Sequence, residues 1–451
     1  RLAGPELQTR GCACQRGRYG AGGSPGQGRP EGQARSARGA PLLAAAAAAA
    51  PLRTPPRQTG ASSRLRLAED WERLAVRDPG STALRRFTPR QLSDVALAWV
   101  SSRARDRHLM ELLYGHAAEQ LHRCEPRHMS LLVYALGMLG SKQPAFLRAV
   151  CGHAPERLQD FSARDMANMV YGFGRVSFQH DGFLESFCAH AASRCREFNA
   201  QDVSNTLYAL GIMSYRHEGM LTALCARASE RLEDFKAQNI ANSVYAMSLL
   251  AFRHDSLLRE AGTQSASRLA DFKPQEISNM IYSMGRLAYR HDGFLRAASV
   301  QMPARLPDFS AQNISNTIYA LGLLGYREES FLDAICSSAA LRLGEFSQQG
   351  VANAVYSLGL LSFTHEGLLR AVCDRVPSRL QEFSAQGISN IVYAFGLLGY
   401  RHAAFLRGVS AHAAHRLDEF TPQGLCNLAC GLAALAPASA DACEAAGRPR
   451  A

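Results

Sequence analysis

The chain lacks the features of a membrane protein and of the common enzyme classes. No apolar run approaches the ~18–20 residues that a membrane-spanning helix needs, and the best candidate, from Pro41 to Pro51, is too short. No phosphate-binding loop, nucleophile elbow, zinc-protease helix or kinase signature occurs. We therefore expect no membrane partner, no small-molecule substrate, no cofactor and no enzymatic activity.

A metal site is not expected either, although the chain contains 12 cysteines. Cys12-x-Cys14 and Cys426-x-x-x-Cys430 match no usual zinc spacing. Most other cysteines share one position of the repeat described below, where further units have Gly or Ser. That position is filled by Cys151, Cys188, Cys225, Gly262, Ser299, Cys336, Cys373 and Ser410. The pattern predicts a small-residue packing position on a helix rather than a set of ligands.

The net charge of +11 is not spread along the chain. Residues 1–66 contain eleven Arg, no Lys and only Glu6 and Glu31 as acids, so this segment alone carries +9. Residues 421–451 are balanced, which leaves +2 for residues 67–420. The overall basicity is therefore a weak argument for nucleic-acid binding by the folded part.

Both ends of the chain are predicted to be disordered. Residues 1–66 are rich in Gly, Ala, Pro, Ser and Arg, and such a segment cannot bury enough apolar area to offset its ordering entropy. This leader has the composition of an organellar transit peptide, or of a signal peptide for a plastid reached by the secretory route. The alternative is a low-complexity tail with no targeting function. Residues 436–451 form an Ala/Pro-rich tail. Because the sequence starts with Arg1 rather than Met, it is also compatible with a fragment.

A 37-residue repeat dominates residues 67–435. Its units align without insertion on a Phe, an Asn and a Tyr. These rows are Phe161, Phe198, Phe235, Phe272, Phe309, Phe346, Phe383 and Phe420; Asn168, Asn205, Asn242, Asn279, Asn316, Asn353, Asn390 and Asn427; and Tyr134, Tyr171, Tyr208, Tyr245, Tyr282, Tyr319, Tyr356 and Tyr393. A degenerate unit containing Phe87 precedes the eight full units, and a half unit follows them. A period of this length predicts stacked supersecondary units.

The sequence pattern of each unit predicts two helices. After Ser310, a favourable N-cap, Ile314 and Leu321 have the spacing of one buried helical face. Gly322 recurs in most units, and because Gly costs about 1 kcal/mol inside a helix it predicts close approach of a neighbouring helix. A second helix begins near an acidic residue such as Glu329 and ends at an Arg-Leu-x-acid-Phe motif. We therefore expect an all-α fold, a right-handed α-solenoid of two-helix 37-residue repeats with about eight full units and degenerate caps.

The turns between the two helices carry a row of Arg-His pairs. Equivalent residues of stacked units form a ladder, so they cannot converge on one ion or one substrate. One interpretation is a row of contacts to successive RNA phosphates; the other is a solvated turn in which His stacks on the neighbouring aromatic ring. The arginines of the phosphate hypothesis are Arg216, Arg253, Arg290 and Arg401.

Two positions of the first helix vary while their surroundings are nearly constant. They are the third helical position and the residue four further on, which share one face. A reader of one base per unit needs such a variable pair on a constant scaffold, although drift on an unconstrained surface gives the same pattern. The Asn and Tyr rows, in contrast, are uniform and cannot distinguish bases. The predicted base-reading residues are Asp165, Met169, Asp202, Thr206, Asn239, Ser243, Glu276, Met280, Asn313 and Thr317.

The repeat resembles those of organellar RNA proteins. The unit Phe309-Ser-Ala-Gln-Asn-Ile-Ser-Asn-Thr-Ile-Tyr-Ala-Leu-Gly-Leu-Leu-Gly325 is similar to heptatricopeptide, octotricopeptide and FAST-kinase-like repeats. It also resembles the helical-repeat subunit six of the kinetoplastid RNA-editing substrate-binding complex. The resemblance covers roughly residues 88–435. The Pro-Pro-Pro-Glu-Trp-like motif of octotricopeptide units is missing, and with only 31 residues after Phe420 a nuclease-like RAP domain is not implied.

This resemblance implies non-catalytic binding of single-stranded RNA in a mitochondrion or plastid, in support of RNA processing, stability, editing or translation. Other RNA-processing proteins are expected as partners. The alternative is an armadillo-like protein scaffold, which the near-neutral charge of the array favours. A continuous positive stripe on one face would support RNA, and a mixed or apolar groove would support protein.

Overall fold

The computed structural model describes residues 61–79, 83–103 and 106–436, and in this part of the chain all regular elements are helical. The predicted leader and tail lie outside the described residues except for 61–66 and 436. Between them the chain forms twenty α-helices: α1 (Ala61–Arg77), α2 (Pro89–Ser102), α3 (Arg107–Glu119), α4 (Pro126–Leu139), α5 (Pro144–His153), α6 (Ala163–Arg175), α7 (Asp181–Ser193), α8 (Ala200–Met213), α9 (Glu218–Glu230), α10 (Ala237–Leu249), α11 (Asp255–Ser267), α12 (Pro274–Arg286), α13 (Asp292–Gln301), α14 (Ala311–Leu324), α15 (Glu329–Leu341), α16 (Gln348–Leu361), α17 (Glu366–Arg375), α18 (Ala385–Leu398), α19 (Ala403–Ala414) and α20 (Pro422–Leu435).

The helices from α2 onward form two layers. The even-numbered helices are the first helices of the units, and each packs along the first helix of the next unit. The odd-numbered helices from α3 to α19 are the second helices, which pack along one another or through the short 3₁₀ turns between units. Consecutive packing of two-helix units confirms the predicted all-α solenoid.

An extra helix closes the amino-terminal end of this array. α1 begins at Ala61, six residues inside the predicted leader, and packs on α2. Trp71 is fully buried with its ring centroid 5.0 Å from that of Phe87, and Glu72 accepts a hydrogen bond from the Trp99 indole at 2.7 Å. α1 therefore covers the apolar side of the degenerate first unit, as a terminal cap of a repeat array must.

Side chains at the helix starts explain why each unit folds as two helices. In α14 the Asn313 backbone N–H donates to the Ser310 hydroxyl at 3.1 Å, and the Ser310 N–H donates to the Asn313 side chain at 3.2 Å. This capping box confirms the predicted N-cap. Before the second helix α13, the Phe294 N–H donates to Nδ1 of His291 at 3.0 Å. Asp292 then occupies the first turn, where the helix dipole favours an acid.

The recurring glycines of the first helices mark a seam where neighbouring helices touch. A Cβ atom on Gly322 would lie 2.5 Å from the Cβ of Ser357, and one on Gly174 would lie 3.0 Å from the Cα of Ala209. These distances are shorter than normal van der Waals contact. The prediction of close helix approach at this position is confirmed.

The cysteine row lies on the second helices and is buried. A Cβ on Gly262 would meet the imidazole of His291 in the next unit, so that ring lies directly over this position. Cys225 and Cys336 are fully buried, and burial raises the pKa of both thiols to about 12. The described members of this row are therefore packing residues, as predicted.

Candidate nucleic-acid interface

One side of every first helix is not covered by another helix. In α14, Gln312, Asn316, Tyr319 and Leu323 lie along this side with the spacing i, i+4, i+7 and i+11. Gln312 and Leu323 are exposed, and Asn316 and Tyr319 are half-buried. We call the surface formed by these four positions and the helix N-caps, from α2 to α20, the first-helix face.

The second residue of each predicted base-reading pair is not on this face. These five side chains are at most 1% exposed, because they point into the packed layer. The hydroxyls of Ser243 and Thr317 donate to carbonyl oxygens of their own helices, both at 2.8 Å. This burial corrects the base-reading prediction: such side chains cannot contact a base in this structure. The buried residues are Met169, Thr206, Ser243, Met280 and Thr317.

The first residue of each pair closes its own helix start. In each case the side chain accepts a hydrogen bond from the N-cap backbone N–H, at 2.9 to 3.3 Å. The variation at this position is among residues that can all accept such a bond, and from α16 onward Gly takes their place. The capping residues are Asp165, Asp202, Asn239, Glu276 and Asn313.

Asp202 differs from its equivalents because it is a buried acid. Burial raises its pKa to about 6, against the hydrogen bond from the Asn199 N–H, which lowers it. An unfolded Asp titrates near 4, so the ionised carboxyl destabilises the folded state, and this cost grows as the pH rises from about 4 to about 6. Asp202→Asn, the residue found at 239 and 313, should therefore raise the free energy of unfolding at pH 8 by on the order of 1–3 kcal/mol. Urea unfolding at pH 8 and pH 4 checks this, and an equal gain at both values would contradict it.

The turn arginines hold neighbouring units together. Arg253 donates to Asp255 at 2.6 Å and to the carbonyl of Ala288, at the end of the next first helix, at 3.1 Å. Its guanidinium also lies 5.4 Å from the ring centroid of Tyr289. Arg216, Arg290 and Arg327 repeat these contacts. Arg401 donates to Ala436 at 2.7 Å.

The phosphate interpretation of these turns is weakened by their contacts. Arg216, Arg253 and Arg290 each have an acidic partner within 2.7 Å, and the guanidinium groups satisfy orphan carbonyls at helix ends. The histidines beside them are N-caps of the second helices. The turn residues therefore cap helix ends and join neighbouring units. The interpretation of these segments as solvated turns did not include this structural function.

A second arginine row, which the sequence analysis did not assign, also joins the units. In several units the Arg of the Arg-Leu-x-acid-Phe motif donates to the carbonyl of the Phe at the end of the preceding unit, as Arg268, Arg342 and Arg416 do. For Arg342 this bond to Phe309 is 2.6 Å, and Glu345 accepts from the same guanidinium at 2.7 Å. The two rows together explain why an array with many arginines has little net charge: much of its basicity is paired within the protein.

Unpaired cations nevertheless occur on the first-helix face. They stand where other units have Gln, Ser or Leu, so a comparison of the units position by position would have found them. All six are exposed, and within the described residues none has an ion pair or a side-chain hydrogen bond. They are Arg90, Arg127, Arg164, Lys236, Lys273 and Arg286.

The Tyr row forms the floor of the face beside these cations. Ring centroids of neighbouring units are 6.1 Å apart for Tyr134 and Tyr171 and 6.4 Å apart for Tyr171 and Tyr208. These three rings are buried, and burial raises the pKa of Tyr171 and Tyr208 to about 12. From Tyr245 onward the rings are half-buried. The rings pack on one another, so they offer edges to a ligand rather than slots between which bases insert.

From α14 to α18 the face changes character. No charged residue stands at the N-cap, Gln, Asn, Tyr or Leu positions of these three helices. Leu323, Leu360 and Leu397 are 40%, 39% and 47% exposed, respectively. The first-helix face thus has a part with unpaired cations, from α2 to α12, and an uncharged part from α14 to α18.

The comparison with protein families agrees with this architecture. The family described as RNA-editing substrate-binding complex 6 protein matches residues 80–303 and 298–403, most of the described array. No curated protein matches the chain. Among the described residues, no helix has the length and hydropathy that crossing a bilayer requires.

Proposed function

Because the chain belongs to the RNA-editing substrate-binding complex 6 protein family, we propose that it binds single-stranded RNA as a non-catalytic component of RNA editing. The observation that carries this proposal is the row of unpaired cations on the first-helix face from α2 to α12. Exposed Lys and Arg side chains bind phosphates with affinity that does not depend on sequence. RNA would thus lie across the first helices from α2 to α12.

The acids on the same part of the face offset some of this positive charge, and the exposed Glu125 at the N-cap of α4 is one of them. Asp165, Asp202 and Glu276 each accept the backbone N–H of an N-cap and face the positive end of the helix dipole, although burial raises the pKa of Asp202 and Glu276. Asp94 is paired with Arg64 at 2.8 Å. Arg127 and Arg164 form no ion pair within the described residues, although Arg164 is near enough to Asp202 to lower the pKa of that carboxyl.

Recognition along this surface would be largely independent of base identity. From α6 to α12 the Asn and Tyr rows are uniform, and the variable side chains are buried or used as caps. Uniform polar and aromatic groups suit backbone contacts and ring edges. We therefore propose an RNA-holding surface, and that any sequence preference comes from partner proteins of the editing machinery.

A non-catalytic role is supported by the use of the reactive side chains. Histidines of the turns act as N-caps, and the cysteines of the second helices are buried thiols with raised pKa values. Family membership favours the mitochondrion over the plastid. The predicted leader, which would contain the targeting signal, lies mostly outside the described residues.

Direct binding tests the proposal. The full chain is titrated into a labelled, unstructured 30-nucleotide RNA, with the matching RNA duplex as competitor, at 50 to 200 mM KCl. If the six cations each contact a phosphate, the logarithm of the affinity should fall against the logarithm of salt with a slope of about −4. The single strand should bind more tightly than the duplex, because a continuous face follows a flexible strand better than a rigid helix. No binding at 50 mM KCl, or a slope near zero, would contradict the proposal.

A further inference from the structure

The uncharged part of the first-helix face has properties that RNA does not require. Across α14, α16 and α18 it lacks any charged side chain to neutralise a phosphate. It carries three exposed leucines in register, Leu323, Leu360 and Leu397. Single exposed leucines are ordinary on a protein surface, but three in a row at the same repeat position form a continuous apolar edge.

Unpaired amides run beside this apolar edge. The side chains of Asn316, Asn353 and Asn390 are half-buried, and within the described residues they make no hydrogen bond. Each amide can donate and accept at once. None of these amides belongs to the buried side-chain atoms that lack a partner, so their polar atoms are open to solvent and to a ligand. The row therefore offers one donor and one acceptor per unit to a ligand that has both.

The amides and leucines repeat once per unit, so a ligand that meets all of them must run across the first helices. Between the two rows, the ring centroids of Tyr356 and Tyr393 are 6.4 Å apart. A polypeptide backbone carries a donor and an acceptor at each residue, and the alternate side chains of an extended strand point to the same side. A strand laid across these helices can thus pair its backbone with the Asn amides while its side chains contact the leucines.

We propose that the face formed by α14, α16 and α18 binds an extended, apolar segment of a partner protein that is poor in charged residues. The Asn row pairs with the backbone of the segment, and Leu323, Leu360 and Leu397 contact its alternate side chains. Main-chain hydrogen bonds supply affinity and side-chain contacts supply selectivity in this mode of recognition. The protein would then hold RNA on one part of its first-helix face and a protein partner on the other.

Selection from a random 16-residue peptide library displayed on phage, with the full chain as bait, tests this assignment. Selected peptides are synthesised, labelled and titrated. We expect sequences of low charge with apolar residues at alternate positions. Leu323→Ser/Leu360→Ser/Leu397→Ser and Asn316→Ala/Asn353→Ala/Asn390→Ala should each weaken their binding at least 10-fold. The matched control Val300→Ser/Leu341→Ser, which removes exposed apolar residues from second helices, should change it less than 2-fold.

The outcomes separate this proposal from the RNA-binding proposal. Both triple variants should bind the 30-nucleotide RNA within 2-fold of the original chain, and the peptide results are expected to be the same if the chain binds no RNA. Failure to select any peptide, or peptides indifferent to both triple variants, overturns the assignment. A loss of RNA affinity in the leucine variant places this part of the face in the RNA path and also overturns it. A dimer that light scattering detects and the leucine variant abolishes identifies a second copy as the occupant instead.

Discussion

Removing four cations from the first-helix face should lower the affinity for single-stranded RNA about 100-fold at 0.15 M salt. The variant combines Arg127→Gln, Arg164→Gln, Lys236→Ser and Lys273→Ser, and each new residue is the one that other units have at that position. Each lost phosphate contact reduces the salt slope by about 0.7, so the slope should become less steep by nearly 3. Titration of labelled RNA at several salt concentrations measures both quantities.

A matched variant removes the same charge from the other layer. Arg148, Arg296, Arg370 and Arg407 are exposed on the second helices and have no ion pair within the described residues. Changing all four to Gln alters the net charge equally, so it controls for non-specific attraction. We expect less than a 3-fold effect on RNA affinity. Equal losses in the two variants would show that total charge, and not the first-helix face, determines binding.

Arg253→Gln separates this surface from the turns. Because Arg253 joins Asp255, the end of α12 and the Tyr289 ring, its loss should cost about 1–3 kcal/mol of stability at one interface between units. The salt slope for RNA should stay unchanged at a temperature where the variant is folded. A slope reduced by about 0.7 would restore the phosphate function predicted for this row.

The architecture was predictable from the sequence because the same local interactions recur in each unit of a solenoid. Ser310, Gly322 and Glu329 each have equivalents in most units, and each has a local physical function that the structure confirms: N-cap, close helix contact and first-turn acid. Local rules of this kind act within one unit or between two neighbours. The predicted end of the leader at residue 66 differs from the observed start of α1 at Ala61. α1 is a terminal cap, and its sequence lies outside the repeat pattern.

The candidate site was harder to predict because the first helix is buried on nearly all sides. The variable position of Thr206 looked like a surface, but its side chain is fully buried in the layer where α8 packs on α6 and α10. Variation there reflects packing: the hydroxyls of Ser243 and Thr317 bond within their helices, while that of Thr206 has no partner among the described residues. The turn row misled for a similar reason, since the acid that neutralises Arg253 is two residues away and the carbonyl that it caps is 35 residues away.

Gly172→Ala should be the most destabilising single methyl addition in the array. A Cβ on Gly172 would lie 2.3 Å from the carbonyl oxygen of Val133 and 2.7 Å from its carbonyl carbon. These are backbone atoms, so no change of side-chain rotamer relieves the contact. We expect a net loss of about 2–3 kcal/mol, because the overpacking exceeds the gain of about 1 kcal/mol in helix propensity. Thermal unfolding followed by circular dichroism measures it.

Gly115→Ala is the matched control, because a Cβ there meets nothing within 4 Å on exposed α3 and should stabilise the helix by about 0.5–1 kcal/mol. The central units accommodate Ala at the position of Gly172, as Ala209 and Ala246 show. Gly172→Ala therefore tests whether α4 and α6 can move apart to the spacing found in the central units. A loss below about 1 kcal/mol would mean that they can. In that case the residues at the contact determine the distance between α4 and α6. The first-helix face would then shift with that distance.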